Sequence, residues 1–506
     1  MMPTYLSKSN FMHWLIHPAY LWLEKHEKKR LPPITQADEF MFSKGHDFEA
    51  EARKLFPEGK LVDAKPWEFA QLKAQTVALM EAREETIFQA TAFTERGLLV
   101  KSDILKRRGE VWDLYEVKSS TRVKDDHLTD LAFQAVTWAE AGITIEEVYV
   151  LYVDREYARG EKLEPERLVR QECVSEAVMA RIPGVERQIP AALATLERNS
   201  CPDLDPSHAG NLGVWLPLYF HLNPELAADH PLRLAQLKPE DLARLQQLGV
   251  ESLTEIERYD GFNARQQSQI KAWQMESSIN HSEIANFLNK LEFPLWFLDY
   301  ETISHAVPLY PGTKPYQDVP FQYSLHKLDS PTAELKHFEY LSTSTEFPVP
   351  KLLEQLQQDL DGLGSILVWY QNFEKGMNAR MGEFCPEYSE WLAAVNGRIR
   401  DLMIPFSSGW YVDKRFVGSA SIKNVLPVLA PKLSYKTLNV QDGGSAQAVW
   451  YDAVFNDRGS AKTYDNLLQY CALDTLAMVE IYNFLIRLSR DDERPATGQL
   501  EQAQLF

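Results

Sequence analysis

The apolar pattern of this chain changes period in two separate stretches, and no other feature limits its fold so narrowly. Residues 1 to about 90 read mainly as helices. From Ile87 the period drops towards two. LLVKSDIL (98–105) and VWDLYEVK (111–118) are β-rich runs joined by KRRGE, with Gly109 as the turn residue. LAFQAVTWAEAG (131–142) returns to helical spacing and stops at Gly142, and VYVLYV (148–153) is a short buried strand. Helix, hairpin, helix and strand in that order predict an α/β domain over residues 1–200. Residues 201–290 lose the strand signal. LKPEDLARLQQLGVESLTEIERY carries a proline at a helix start and a glycine between helices, and it predicts a small helical connector that serves as a packing module. After Pro294, strands and helices alternate again to Leu488, a second α/β domain (291–488). Residues 489–506 are polar until the last two and read as a flexible tail.

Composition narrows the function classes. Of 506 residues, 45% are hydrophobic and 25% charged, enough for sizeable cores without disulfides. The four cysteines are far apart in sequence, with no CxxC pair, which predicts a reducing cytoplasm and no zinc site. The apolar stretch Phe11–Leu23 is interrupted by His13, His17 and Pro18 and falls short of the roughly 20 residues a bilayer needs, so neither a signal peptide nor a membrane span is expected. A net charge of −19 argues against binding nucleic acid through bulk electrostatics, but not against an enzyme with a local basic groove. One basic cluster stands out: Lys101, Lys106, Arg107, Arg108, Lys118, Arg122 and Lys124.

In the second domain, WFLDYE places Asp299 and Glu301 two apart on a strand, hence on one face. Two such acids repel unless a cation lies between them. In NLLQYCALDTLAMVEIYNFL, Tyr470 and Asp474 are four apart and share a helix face. Between these motifs, ILVWYQNFEKGM offers Glu374 after a buried strand, with Asp401 in IRDLMIPF as the competing acid. Carboxylates gathered in this way can hold two Mg²⁺ or Mn²⁺ ions about 4 Å apart for phosphodiester hydrolysis, with Tyr470 orienting the attacking water. Asp-x-Glu, an Asn-plus-acid motif and Tyr-x3-Asp, in this order, resemble the tyrosine-type DEDD exonucleases of the RNase H-like (DnaQ-like) fold. That resemblance implies 3′→5′ removal of single nucleotides. YETI, QYSLH, GSASIKNVLP and YKTLNVQDG also resemble an uncharacterised bacterial family in which this domain follows a RecB-like nuclease domain. The wider group usually has Asp in the second motif, where this chain offers Glu374, one methylene longer.

In the first domain, Asp103 is expected at the end of one strand and Glu116-Val117-Lys118 at the end of the next, so the hairpin brings two carboxylates and an ammonium together. Glu49, on a helix, is a further candidate metal ligand, and Gln134 and Trp138 share a later helix face. Gly45-x3-Glu49, Asp103, Glu116-x-Lys118 and Gln134-x3-Trp138 resemble the RecB-like branch of the PD-(D/E)XK nucleases, which implies a second nuclease site with Lys118 and Gln134 in catalytic roles. Many relatives hold an iron–sulfur cluster on four cysteines. Here the region from Cys201 holds a single thiol and HPAYLWL stands where a Cys is usual, so no cluster is expected and His17 reads as a packed helix-start histidine.

The last residues, QAQLF, resemble the bacterial sliding-clamp-binding motif, with Gln502, Leu505 and Phe506 as its contacts. Together these readings predict an α/β protein with a PD-(D/E)XK-like domain, a helical connector and an RNase H-like domain. Its expected activity is Mg²⁺- or Mn²⁺-dependent hydrolysis of DNA ends or single strands, in repair, replication-linked processing or defence. RNA remains an alternative substrate, as does a weakened, clamp-tethered adaptor. Trp296, Trp369 and Trp410 are candidate stacking platforms for unpaired bases.

Overall fold

The computed structural model describes residues 5–65 and 67–490. It is a mixed α/β protein whose described residues form two compact units: those up to 226 with 304–318, and 227–303 with 319–490. This division cuts through the expected connector. Residues 201–226 pack with the first unit, where Trp215 stacks on the His17 ring at 3.9 Å, and residues 227–290 belong to the second. His17 caps the helix Pro18–His26, its Nδ1 accepting from the Ala19 amide at 3.1 Å.

The first unit is built on a seven-stranded sheet. Its strands are β1 (Leu6–Ser7), β2 (Lys60–Leu61), β3 (Thr86–Phe93), β4 (Leu98–Arg108), β5 (Val111–Lys118), β6 (Ile145–Val153) and β7 (Val169–Cys173). The order is β2-β3-β4-β5-β6-β7, with β1 also paired to β4. β4 and β5 form the expected hairpin, turning at Gly109 with φ +65°, a backbone state that glycine adopts without a Cβ clash. β5 and β6 are parallel, so the chain crosses between them through the helix Asp125–Glu140. That helix carries Leu131 and Phe133 into one core beside Phe11 of the first helix and Val185 and Ile189 of the helix Ser175–Leu196. A second core gathers Phe48, Ile104, Tyr115 and Leu151, with Ala306 from the 304–318 excursion. Asp103 lies inside β4 rather than at its end, because the strand runs five residues further, to Arg108, before the turn.

The second unit has a five-stranded sheet and a two-stranded one. Its strands are β8 (Ser277–Ile279), β9 (Leu295–Ile303), β10 (Val319–Leu328), β11 (Lys336–Leu341), β12 (Ile366–Val368), β13 (Ile399–Asp401) and β14 (Tyr411–Asp413). The order is β11-β10-β9-β12-β13; β10 runs antiparallel to β9 and β11, while β9, β12 and β13 are mutually parallel. β8, a strand where only helices were expected, pairs with β14. The first half of β9, residues 295–298, is apolar on both faces because both are covered. One face meets the long helix Ala461–Arg490 through Met478, Ile481 and Leu485. On the other, the Tyr323 hydroxyl reaches Asp359 of the helix Val349–Asp359 at 2.6 Å. Residues 231–275 form a small helical core of their own around Leu245, Phe262 and Ile270.

Candidate functional site

The long helix is pinned to the sheet by the face of β10 that carries Gln322, Ser324 and His326. Gln322 Nε2 donates to the Leu467 carbonyl at 2.9 Å, and Ser324 Oγ and His326 Nδ1 meet Thr475 Oγ1 at 2.7 and 2.8 Å. In register with these residues, Asp299 opposes Ser324 and Glu301 opposes Gln322. The docking therefore carries Asp474 to the two strand acids. Asp299, Glu301 and Asp474 each offer a carboxylate oxygen, and all three lie within 4.8 Å of one another.

Charge repulsion and burial shape this cluster. Burial, then the Asp474 charge, pushes the Asp299 carboxyl well above its ordinary value; burial, then Asp299, does the same to Glu301. Burial raises Asp474 to about 6, opposed by the Tyr435 hydroxyl, Lys423 and Tyr470. Tyr435 donates to Asp474 Oδ1 at 2.5 Å. Tyr470 is buried one helical turn before Asp474. Burial and the acids push its phenol far up, so it keeps its proton and remains a donor. The Lys423 ammonium lies 5.9 Å from the centres of both the Tyr435 and Tyr470 rings.

The two candidates for the second-motif acid have different environments. Asp401 is committed to the backbone: Oδ1 accepts from the amides of Tyr370 and Met403 at 3.1 and 3.0 Å, and Oδ2 from Gln371 at 3.0 Å. It thereby holds the turn in which Tyr370 adopts φ +78° before the helix Gln371–Phe384. Glu374 is buried, and its Oε2 has no hydrogen-bond partner among the described residues. Burial, then the charge on Asp299, raises its carboxyl to about 9. Glu374 does not enter the Asp299–Glu301–Asp474 group, but it is close enough to feel the Asp299 charge. Three crowded carboxylates are a donor set suited to a hard divalent cation, with this buried acid as a candidate addition to it. Asp401→Ala is expected to lower stability by about 2–3 kcal/mol through its orphaned amides. Glu374→Gln, which mimics the protonated acid, should leave stability unchanged. Thermal unfolding of the two variants checks this, and equal losses would refute the distinction.

In the first unit the hairpin register brings Asp103 beside Glu116, with Asp103 Oδ2 accepting from the Val117 amide at 2.8 Å. Glu116 is already surrounded by donors. Lys8 Nζ and Lys118 Nζ meet its Oε1 at 2.7 and 2.8 Å, and Gln134 Nε2 meets its Oε2 at 2.7 Å. Burial pushes the Glu116 carboxyl up, but Lys118 and Lys8 outweigh it and hold the group well below the usual carboxylate range. Burial and the Glu116 charge raise Asp103 to about 7. Lys118 also bridges to Asp130 Oδ2 at 2.8 Å, and these two carboxylates outweigh burial and keep it protonated; it acts here as a cation, not a base. Gln134 is oriented by Ser102 at 2.7 Å, which in turn accepts from Trp138 Nε1 at 2.9 Å. Glu49 is turned to Arg53 and Gln89, and Gln89 reaches it from a left-handed backbone at φ +55°. Among the described residues Glu49, Asp103 and Glu116 do not form a three-carboxylate group of the kind seen in the second unit.

Other expectations meet the structure unevenly. Trp296 is wholly buried, its Nε1 bonded to the Leu363 carbonyl at 3.0 Å, which removes it as a stacking platform. Trp369 and Trp410 pack partly buried against the same core. Of the basic cluster, Arg108 is paired with Asp113 and Glu147, and Arg107 lies over the Trp112 ring. Gln502, Leu505 and Phe506 lie outside the described residues. The four cysteines are unpaired, and among the described residues no helix is long and apolar enough to cross a membrane. Sequence reasoning missed Lys8, Asp130, Lys423 and Tyr435. Lys423 and Tyr435 sit inside two quoted motifs, GSASIKNVLP and YKTLNVQDG, but only the helix docking shows what they approach.

A family model described as a domain of unknown function (DUF2779) matches residues 296–421, the stretch holding Asp299, Glu301 and Glu374 but ending before Lys423 and Asp474. The chain is 26% identical over 238 residues to "Uncharacterized protein MG366 homolog" of Mycoplasma pneumoniae, covering 43% of this chain and 36% of that protein. To "Uncharacterized protein MG366" of Mycoplasma genitalium it is 25% identical over 246 residues, covering 44% of this chain and 37% of that protein. The chain thus matches little more than a third of the length of these relatives.

Proposed function

We propose that this protein is a metal-dependent nuclease that hydrolyses phosphodiester bonds in DNA, with a 3′→5′ exonuclease site in its second unit. The observation that carries this reading is the convergence of Asp299, Glu301 and Asp474 within 4.8 Å. Buried Glu374, whose Oε2 has no hydrogen-bond partner among the described residues, feels the Asp299 charge. The three-carboxylate cluster costs repulsion and desolvation without a counter-charge. The β11-β10-β9-β12-β13 order, with Asp299 and Glu301 on the central strand, supports the RNase H-like resemblance. One or two Mg²⁺ or Mn²⁺ ions held by these carboxylates would supply charge stabilisation for the attacking and leaving oxygens. The chain's own groups do the rest. Protonated Tyr470 can donate to and orient the attacking water, Tyr435 fixes the Asp474 carboxylate, and the Lys423 ammonium adds positive charge for the phosphate.

The first unit is proposed as a second nuclease site on Asp103, Glu116, Lys118 and Gln134. A reading in which it binds nucleic acid more than it cuts is favoured by one observation: Lys8 and Lys118 already neutralise Glu116. The tail residues Gln502, Leu505 and Phe506 are proposed as a tether to a sliding clamp. Binding to purified clamp that survives their deletion would exclude it. The activity is tested by digesting end-labelled single-stranded and duplex DNA and RNA with Mg²⁺, Mn²⁺ or chelator. Shortening of DNA from the 3′ end with metal, and none with chelator, is expected; intact substrates under every condition would reject the proposal, and preferential loss of RNA would move it to the other polymer.

A further inference from the structure

Beside the Asp103–Glu116 pair the first unit has a cavity of about 510 Å³, walled by the loop Ser119–Lys124 after β5 and by His127, Arg155 and Tyr316. The volume falls within the roughly 300–1,000 Å³ range of small-ligand sites, so a nucleotide-sized group fits and a duplex does not. Lys118 is shared: it lines the cavity and also touches Glu116 and Asp130. The cavity therefore opens next to the carboxylates.

The loop is held in shape. Its Ser120 carbonyl accepts from the Val153 amide at 2.9 Å, Ser120 Oγ donates to the Arg122 carbonyl at 2.7 Å, and the Tyr316 hydroxyl donates to the Ser119 carbonyl. Tyr316 arrives on the 304–318 excursion, which the first unit incorporates. The charge balance is uneven. Lys118 is offset by two carboxylates, whereas Arg122, Lys124 and Arg155 enter no ion pair among the described residues. All three are exposed at the cavity wall, in a chain whose net charge is −19. A local surplus of cations and hydroxyls in a concave, preformed site selects phosphate against the acidic surroundings.

We infer that this cavity binds the phosphodiester backbone of a single nucleic-acid strand, holding the phosphates next to the one at Asp103 and Glu116. The inference rests on the reading of the first unit as a nucleic-acid-handling domain, and it holds whether that unit cuts or only binds. Guanidinium and ammonium groups on a short loop contact phosphates without reading bases, so binding is sequence-tolerant and salt-dependent.

The test is fluorescence anisotropy of a short labelled single-stranded DNA with the full-length protein in EDTA, where metal-dependent cutting cannot interfere. Arg122→Ala combined with Lys124→Ala is expected to weaken binding at least roughly ten-fold and to flatten the slope of log affinity against log salt by about 1.4, two phosphate contacts at about 0.7 each on a single strand. Arg155→Ala, on a different element, should act in the same direction. Affinity and slope unchanged in all these variants overturns the inference, as does a mononucleotide that competes as tightly as the oligonucleotide, which would make the cavity a free-nucleotide site. Digestion with Mn²⁺ separates the two failures. A wild-type protein that cuts, with variants that bind normally, removes the cavity alone. A wild-type protein that binds through these residues and never cuts removes the nuclease reading alone.

Discussion

Asp299→Ala is expected to reduce Mn²⁺-dependent shortening of end-labelled DNA by well over the roughly 10–100-fold that loss of an outer-shell partner costs a metal site. Asp299 interacts with each of the other acids: its charge raises Glu301 and Glu374, and Asp474 raises Asp299 in turn. Removing it deletes a candidate ligand and relieves the repulsion that makes the cluster seek a cation. The same change should leave the metal-free protein at least as stable as the parent, because a desolvated acid is lost. Loss of activity together with retained or raised Tm separates a chemical role from a structural one. Glu116→Ala run alongside assigns the reaction to a unit. If it abolishes degradation while Asp299→Ala does not, the enzyme is the first unit, and if neither matters, the catalytic reading of both sites falls.

Metal should stabilise the second unit in a pH-dependent way. An acid whose folded pKa is raised binds its proton more tightly in the folded state, so the stability it supports is present at low pH and is lost as pH climbs from the unfolded to the folded value. For Asp474 that window runs from 3.8 to about 6, and for Glu374 from 4.5 to about 9. Without metal, stability therefore declines across these windows. A bound cation needs the deprotonated carboxylates and displaces those protons, so its affinity rises over the same range. At a metal concentration about 100 times Kd the stabilisation is about 2.7 kcal/mol. In a domain of this size that is roughly 5–10 °C in Tm. Scanning unfolding with Mn²⁺ or chelator between pH 6 and about 9 should show a difference that widens with pH and disappears in Asp299→Ala. A shift that is flat with pH, or that survives the substitution, would place the metal elsewhere.

How much of this was legible in the chain follows from the range over which each signal acts. Period two put Asp299 and Glu301 on one face of β9, and a four-residue step put Tyr470 and Asp474 on one face of a helix; both are local facts of backbone geometry. The glycine at 109 fixed the hairpin that sets Asp103 against Glu116. Local patterning also suggested residues 201–290 as one helical connector, but packing divided it between the units and drew residues 277–279 into a strand with 411–413.

What tertiary structure alone decided is which distant groups share an environment. Lys8 reaches Glu116 across 108 residues, and Tyr435 reaches Asp474 across 39. Residues 304–318 leave β9 and lend Tyr316 to the cavity of the first unit. The sequence offered Glu374 with Asp401 as its competitor; one became a buried acid with an oxygen unpaired among the described residues and the other a backbone acceptor only once the chain around them was placed. A face within one element is set by bond geometry and repeats along the sequence. The approach of two elements is set by burial and docking summed over many side chains, and it leaves no mark on the residues that happen to meet.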